Sequence, residues 1–291
     1  MVTLLVLFLL AVCAAGASPA GAAAAAQRNP FRTGRTLVIA HGGGDALFPE
    51  NTLEAYEGSS VLGGEVIDVD LAMSADGVLV AFHDATLERT TDGTGRLASR
   101  TFAELSGLDA GFDFVRAGKR PFRAKNVRIP SLESILLRFP STPVTLDVKD
   151  ERVALVAPLC TRLAKLGRVS DVFVGTDSTA QVQGLRSACP GVPTSSTGAE
   201  RRAMRAARDA RDPRFVATTL VSQPPYRAAD GTLRITKAYL DYAHSKGIAV
   251  LTWVVDDPTD MRSLIRMGVD GIYTRRPDIL REVLWSVKGP A

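Results

Sequence analysis

Short runs of apolar and β-branched residues punctuate the chain, and longer stretches with helical spacing lie between them. Leu37-Val38-Ile39-Ala40 runs into His41. Val66-Ile67-Asp68-Val69-Asp70-Leu71 follows, and Val78-Leu79-Val80-Ala81-Phe82 runs into His83. Runs of this length, bounded by glycine and turn residues, are the pattern of buried strands. Ser74-Ala75-Asp76-Gly77 separates the second run from the third, and Asp-Gly between two apolar runs predicts a local antiparallel hairpin. Asn51-Thr52 stands before Leu53, Ala55, Tyr56 and Val61 as a cap and helix, and Ser131 caps a second helix opening at 130–133.

From 143 onward strand and helix alternate. Strands are predicted at 143–149, 171–175, 192–195, 214–220, 248–255 and 269–273. Helices are predicted at 151–167, 179–188, 199–210, 236–246, 258–267 and 277–286. Such alternation argues for a parallel sheet with covering helices. Roughly eight βα steps in about 260 residues suit a (β/α)8 TIM barrel, with an open doubly wound sheet as the rival. Residues 98–129 show no clear period beyond a short helix near Phe102–Leu108, and long connections of this kind are often functional.

Composition adds bounds. The 291 residues, 46% hydrophobic and 23% charged, are those of an ordinary globular protein. A net charge of +4 is compatible with anionic substrates and too small to argue for nucleic acid. Met1–Ala26, with its Val2–Val12 apolar run followed by small residues, reads as a signal peptide that is removed, Cys13 with it. Residues 27–35 read as a linker and 36–287 as one barrel domain. The protein is therefore expected to be exported, extracellular or associated with the cell envelope. Cys160 and Cys189 remain, either as a disulfide or as two buried thiols. Arg201, Arg202, Arg205, Arg208 and Arg211 crowd one helix. They read first as a solvated face, and second as a surface for transient contact with anionic lipid.

The candidate chemistry is concentrated between His41 and Asp84. Two of the chain's three histidines stand there at the ends of strands. Asp68 and Asp70 are two apart on a strand and share a face, while Ile67, Val69 and Leu71 point the other way. Two carboxylates aimed into an interior repel and are costly to desolvate, and a divalent cation is the usual remedy. Asp147 is the best third carboxylate, with Lys149 on the same face two residues on and suited to phosphate. Imidazole suits proton transfer at neutral pH, which makes His41 and His83 an acid–base pair.

His41-Gly42-Gly43, Pro49-Glu50-Asn51-Thr52, Asp68-Val69-Asp70, Ala75-Asp76-Gly77, His83-Asp84, Arg89-Thr90-Thr91 and Gly93-Thr94-Gly95 come in a fixed order and spacing. In this the chain resembles the glycerophosphodiester phosphodiesterase family, from about Thr36 to Leu284 and most strongly over 41–95. The resemblance implies a TIM barrel with His41, His83 and Lys149 on its active face, and Asp68, Asp70 and Asp147 as ligands of one divalent cation. It implies His41 and His83 as catalytic, with attack by the glycerol 2-hydroxyl and a cyclic phosphate that water then opens. Trp253 matches a family tryptophan that could wall the substrate pocket, with core packing as the other reading.

Gly42 stands where the family has arginine, Asp68 and Asp147 where it has glutamate, and Arg275 where it has aspartate. Asp76 reads as a turn residue, Glu50 and Asp84 as residues orienting their neighbours, and His244 as structural. An all-oxygen ligand set favours Ca²⁺ or Mg²⁺ over Zn²⁺. The expected function is metal-dependent hydrolysis of a small-molecule glycerophosphodiester to glycerol phosphate and an alcohol, with no stable protein partner. Alternatives are a lysophospholipase D-like activity, cleavage of a wall glycerophosphate polymer, and a catalytically silent protein that binds a phosphodiester or lipid headgroup.

Overall fold

The computed structural model describes residues 29–150 and 152–288. The segment Met1–Ala26, read from the sequence as a signal peptide, lies outside the described residues. Eight strands form one sheet: β1 (Leu37–Ala40), β2 (Val66–Met73), β3 (Leu79–Ala81), β4 (Val144–Val148), β5 (Val172–Gly175), β6 (Val221–Ser222), β7 (Ala249–Thr252) and β8 (Gly271–Thr274). The order is β5-β4-β2-β1-β8-β7-β6, all parallel, with β3 antiparallel on the outgoing half of β2. The predicted hairpin is thus present. Single parallel bridges from Val174 to Thr194 and from Ser195 to Val221 join the two ends of this path. The ring closes as a (β/α)8 barrel with residues 194–195 in the eighth place.

The helices are α1 (Leu53–Val61), α2 (Phe102–Leu105), α3 (Leu132–Arg138), α4 (Val156–Lys165), α5 (Thr179–Ala188), α6 (Gly198–Asp209), α7 (Lys237–Ser245), α8 (Pro258–Met267) and α9 (Pro277–Lys288). Short polar side chains start most of them by accepting an otherwise orphaned backbone amide: Thr52, Thr101, Ser131, Ser178, Thr197, Thr236 and Asp257. Outward-facing strand residues pack against these helices. Ile67, Val69 and Leu71 meet Leu132, Leu159 and Leu185 on one side, and Val38, Val250 and Ile272 meet Tyr239, Leu264 and Leu280 on the other.

Two predicted strands are much reduced. Residues 214–220 carry an apolar pattern but no strand; Val216 is exposed, and the Thr218 and Thr219 hydroxyls bond to Glu200 and to the Thr194 carbonyl. The ladder begins only at Val221, and the strand predicted at 192–195 amounts to the two bridges. Helix 151–167 starts late, at Val156, after a tight turn at Val153–Leu155.

The linker reading of 27–35 is corrected over its described part. Asn29 donates through Nδ2 to the Leu220 carbonyl at 2.6 Å, and Phe31 is wholly buried. Phe31 packs among Leu37, Ile39, Val66, Phe173, Val221, Ala249 and Leu251, the inward-facing residues near the N-terminal ends of the strands. Its ring meets Phe173 edge-on at 5.6 Å. An aromatic side chain this large gains more by filling the barrel floor than by staying in solvent. Space there is tight: a Cβ on Gly271 would lie 2.8 Å from a Leu251 methyl and 3.0 Å from one of Ile39.

Cys160 on α4 and Cys189 at the end of α5 are joined as a disulfide, their Cα atoms 5.4 Å apart. It ties together two helices that cover the β4–β5 side of the barrel.

Phe31→Ala is expected to cost about 3–5 kcal/mol, the range for emptying a buried phenylalanine site, read as a lower urea midpoint. An unchanged midpoint would remove Phe31 from the core. The Cys160→Ser/Cys189→Ser double variant should lose roughly 3–4 kcal/mol, the chain-entropy value for a loop of about 30 residues, and should no longer respond to reductant.

Candidate active site

Along the barrel interior, polarity changes sharply from floor to mouth. The floor is apolar. One layer up, Asp68 faces Thr145 in register, and above that Asp70 faces Asp147 across β2 and β4. A cavity of about 320 Å³ opens there, lined by His41, Asp68, His83, Asp147, Lys149 and Trp253 together with Thr176, Asp177, Arg201, Gln223 and Tyr273. A smaller cavity of about 190 Å³ shares His41 and His83 and adds Gly42, Asp45, Glu50, Asp70, Asp84 and Arg89. Every residue singled out from the sequence for the site therefore lines one cavity or the other. Trp253, open between two readings, stands 45% exposed on the rim with its indole N–H donating to the Gln223 carbonyl at 3.0 Å.

His41 leaves β1 directly into a tight turn, His41–Gly43, in which Gly42 has φ +52°. That left-handed conformation suits glycine and aims the Gly42 amide at Asp68 Oδ2, 3.2 Å away. Thr145 Oγ1 donates to the other Asp68 oxygen at 2.8 Å. Asp70 is held by Asn51. The Asn51 amide nitrogen donates to Asp70 Oδ2 at 2.7 Å, while its oxygen accepts from the Asp70 backbone N–H at 3.0 Å and from the Tyr56 hydroxyl at 3.1 Å. Asn51 itself has φ +58°, a conformation asparagine tolerates better than most residues. Lys149 Nζ lies between two carboxylates, 2.8 Å from Asp147 Oδ2 and 3.3 Å from Asp70 Oδ1.

His83 lies two residues beyond β3, and its Nδ1 pairs with Asp84 Oδ1 at 2.7 Å, which leaves Nε2 for the cavity. Arg89 fixes that aspartate. Its guanidinium forks onto Glu50 at 2.6 and 2.8 Å and reaches Asp84 Oδ1 at 3.0 Å. Glu50 and Asp84 thus orient their neighbours, as read from the sequence. Asp76 caps its turn, accepting from Ser74 Oγ at 2.6 Å, and His244 pairs with Asp270 at 2.7 Å away from the site. Arg275 is engaged by Asp256 at 2.7 Å.

The charges shift one another strongly. Burial alone would lower the His41 pKa, but the close Asp45 carboxylate and the charges of Asp68 and Asp70 outweigh it and raise it from 6.5 to about 9. His41 Nδ1 lies 3.4 Å from Asp45 Oδ2, an ion-pair approach without hydrogen-bond alignment, and has no other polar partner. Burial pushes the Asp68 carboxyl up; the His41 cation opposes this and Asp70 reinforces it. Burial also raises Asp147, against the pull of Lys149. Half of the Asp147 side chain borders the cavity void, yet enough protein surrounds it to penalise its charge. Burial lowers the Lys149 pKa, but Asp70 and Asp147 raise it above its ordinary value on balance.

Among the described residues, no three carboxylate, histidine or cysteine side chains converge as a chelating group. Lys149 stands between Asp70 and Asp147, and Asp68 turns to Thr145 and Gly42. Nothing in the sequence pattern singles out Asp45, Thr145, Gln223 or Tyr273 for the site. Asn51 reads in sequence as part of a helix start, whereas Thr52 is the cap and Asn51 positions Asp70; the Pro-Glu-Asn-Thr motif is the available signal. Arg201 reads in sequence as part of a solvated arginine face or, second, a lipid-contact surface, but this side chain lines the main cavity. Helical position puts it in the first turn of α6, beside the mouth, while Arg202 points outward.

A family model described as the glycerophosphoryl diester phosphodiesterase family matches residues 41–279. A Bacillus subtilis glycerophosphodiester phosphodiesterase is 28% identical over 273 residues, 89% of this chain and 90% of its own. The structure of a glycerophosphodiester phosphodiesterase from Agrobacterium tumefaciens aligns with a TM-score of 0.67 at 25% identity, covering 85% of this chain and 99% of that one. An Oleispira antarctica phosphodiesterase, solved with its product sn-glycerol-3-phosphate, aligns with a TM-score of 0.69 at 20% identity, covering 86% and 97%.

In metal-free protein the His41 ring is expected to titrate near pH 9, and Asp45→Asn should lower its midpoint, as followed by imidazole NMR shifts. Because the folded-state pKa lies above 6.5, His41 contributes stability that is fully present below pH 6.5 and is lost as pH rises through about 9. A midpoint at or below 6.5 would contradict the charge arrangement.

Proposed function

The chain belongs to the glycerophosphoryl diester phosphodiesterase family, a family of phosphoric diester hydrolases, and we propose that it cleaves small glycerophosphodiesters to glycerol phosphate and an alcohol. The observation that carries this reading is the convergence of two imidazoles, three carboxylates and a lysine on one barrel mouth. The C-terminal face is where barrels of this type do chemistry.

In this reading His41 and His83 exchange protons with the substrate, one with the attacking hydroxyl and the other with the leaving oxygen. Asp84 and Arg89 hold the His83 ring so that Nε2 faces the cavity. Lys149 brings positive charge to the phosphoryl oxygens, and Trp253 walls the cavity at the rim.

The oxygen donors fit a hard divalent cation. Asp70 and Asp147 stand in register with an ammonium group between them, and burial raises both Asp68 and Asp147. These are carboxylates whose surroundings call for more positive charge. Asp68, Asp70 and Asp147 would hold the ion, with Ca²⁺ or Mg²⁺ favoured by the ligand chemistry. When bound, it would neutralise the phosphodiester and align its oxygens.

The protein is exported in this reading, and the Cys160–Cys189 bond supports it, since such bonds persist in oxidising compartments. Among the described residues no helix is long and apolar enough to cross a membrane.

The test is release of glycerol phosphate from glycerophosphocholine, glycerophosphoethanolamine and glycerophosphoglycerol, assayed with Mg²⁺ or Ca²⁺ and with chelator. His41→Ala and His83→Ala should each lower kcat by about 10²–10⁴-fold with the fold retained. Chelation should stop turnover, and Asp70→Asn should raise the metal concentration required. Full activity after chelation would exclude the metal role, and near-wild-type turnover in either histidine variant would exclude the acid–base pair.

A further inference from the structure

Besides its histidines, the main cavity has a lysine and an arginine on its wall, and they differ in circumstance. Lys149 is already shared between Asp70 and Asp147. Arg201 has no carboxylate partner among the described residues; its Nη1 donates to the Ser196 carbonyl. Arg202, Arg205 and Arg211 also have no carboxylate partner among the described residues, but of these arginines only Arg201 lines the cavity, and two others nearby are paired. Arg186 pairs with Glu200 at 2.6 Å, and Arg208 with Asp209 at 2.8 Å. A partly buried guanidinium that faces a cavity without a counter-charge suits an incoming anion.

Its place in the ring indicates which anion. Around the barrel the order is β1, β2, β4, β5, residues 194–195, β6, β7, β8. Arg201 follows residues 194–195, so it approaches the mouth from the side opposite β1. His41, His83 and Lys149 all belong to the β1–β4 side. A phosphate seated between the imidazoles and Lys149 lies toward the β1–β4 side of the cavity, and Arg201 faces the cavity from the other side. Around Arg201 the wall is neutral, made of Ser195, Gln223, Pro225 and Trp253. Asp177 also lines the cavity, but it is exposed on the β5 side and its charge is felt by Asp147.

We propose that Arg201 forms a distal anion subsite for a second phosphate, carried by the leaving alcohol, so that the preferred substrates are glycerophosphodiesters with two phosphates. This rests on the reading of the mouth as a glycerophosphodiester site and adds its specificity. Lysine at position 149 and arginine at position 201 would then hold two phosphates on opposite sides of one cavity.

Binding can be measured apart from turnover, by calorimetry on the full chain carrying His83→Ala. The ligands are glycerophosphoglycerol, with one phosphate, bis(glycerophospho)glycerol, with two, and glycerophosphoserine, whose second anion is a carboxylate. A guanidinium–phosphate contact should favour the two-phosphate ligand by about tenfold or more, beyond the twofold statistical factor. Adding Arg201→Gln should abolish that preference, while Arg201→Lys should retain part of it. Thermal melts check that the variants fold.

Equal affinity for the one- and two-phosphate ligands would overturn the proposal, as would a preference that survives Arg201→Gln. An equal gain for glycerophosphoserine would overturn the assignment to phosphate. Absence of turnover in the unaltered protein would instead overturn the diesterase reading, and the calorimetric comparison would still decide the subsite.

Discussion

Negative charge at the barrel mouth, and the positive charge needed to balance it, is the constraint on which the rest of the site depends. Asp68, Asp70 and Asp147 share the inward face of two paired strands, and burial penalises Asp68 and Asp147 as anions. The fold answers with His41 and Lys149, whose pKa values rise in consequence. In the proposed function, proton transfer, phosphate binding and cation binding would all draw on this one balance. A side chain that changes it, such as Asp45 beside His41, acts on several of these properties together.

Neutral and charged braces keep that arrangement in place. Asn51 supplies both a donor and an acceptor to Asp70, and it can do so because the backbone at position 51 turns left-handed just before α1. Arg89 joins Glu50 to Asp84 and so reaches His83 through one intermediate carboxylate. The Gly42 turn brings a backbone amide to Asp68, and a glycine there puts no side chain into the mouth. With no arginine at position 42, the positive charge at this mouth comes from His41, Lys149 and, across the ring, Arg201.

The polar mouth is tolerable because the rest of the interior is apolar and closed. Phe31 fills the floor from a segment outside the strands, and the helices cover the outer face of the sheet. Glycine at 271 lets Leu251 and Ile39 meet in the floor. Apolar burial at that end offsets part of the cost of holding ionised groups at the other.

The alternation of strands and helices was legible in the sequence as a local matter of apolar period, cap and turn chemistry, and it left a barrel and an open sheet both possible. The family resemblance favoured the barrel, and the bridges at residues 194–195 close it. The shared face of Asp68 and Asp70 follows from the two-residue repeat of a strand, and the Asp76-Gly77 hairpin from turn preference. Contacts distant in sequence were decided only by the tertiary structure. Asn51 reaches Asp70, Phe31 reaches Phe173, and Cys160 meets Cys189, each because the closed ring brings together segments with no local signal for one another. Strands at 192–195 and 214–220 misled because an apolar run records burial propensity, while a ladder also needs a partner in register. Arg201 sits among arginines that look alike in the sequence. Only its place in the first turn of α6, beside the mouth, separates it from the solvated ones.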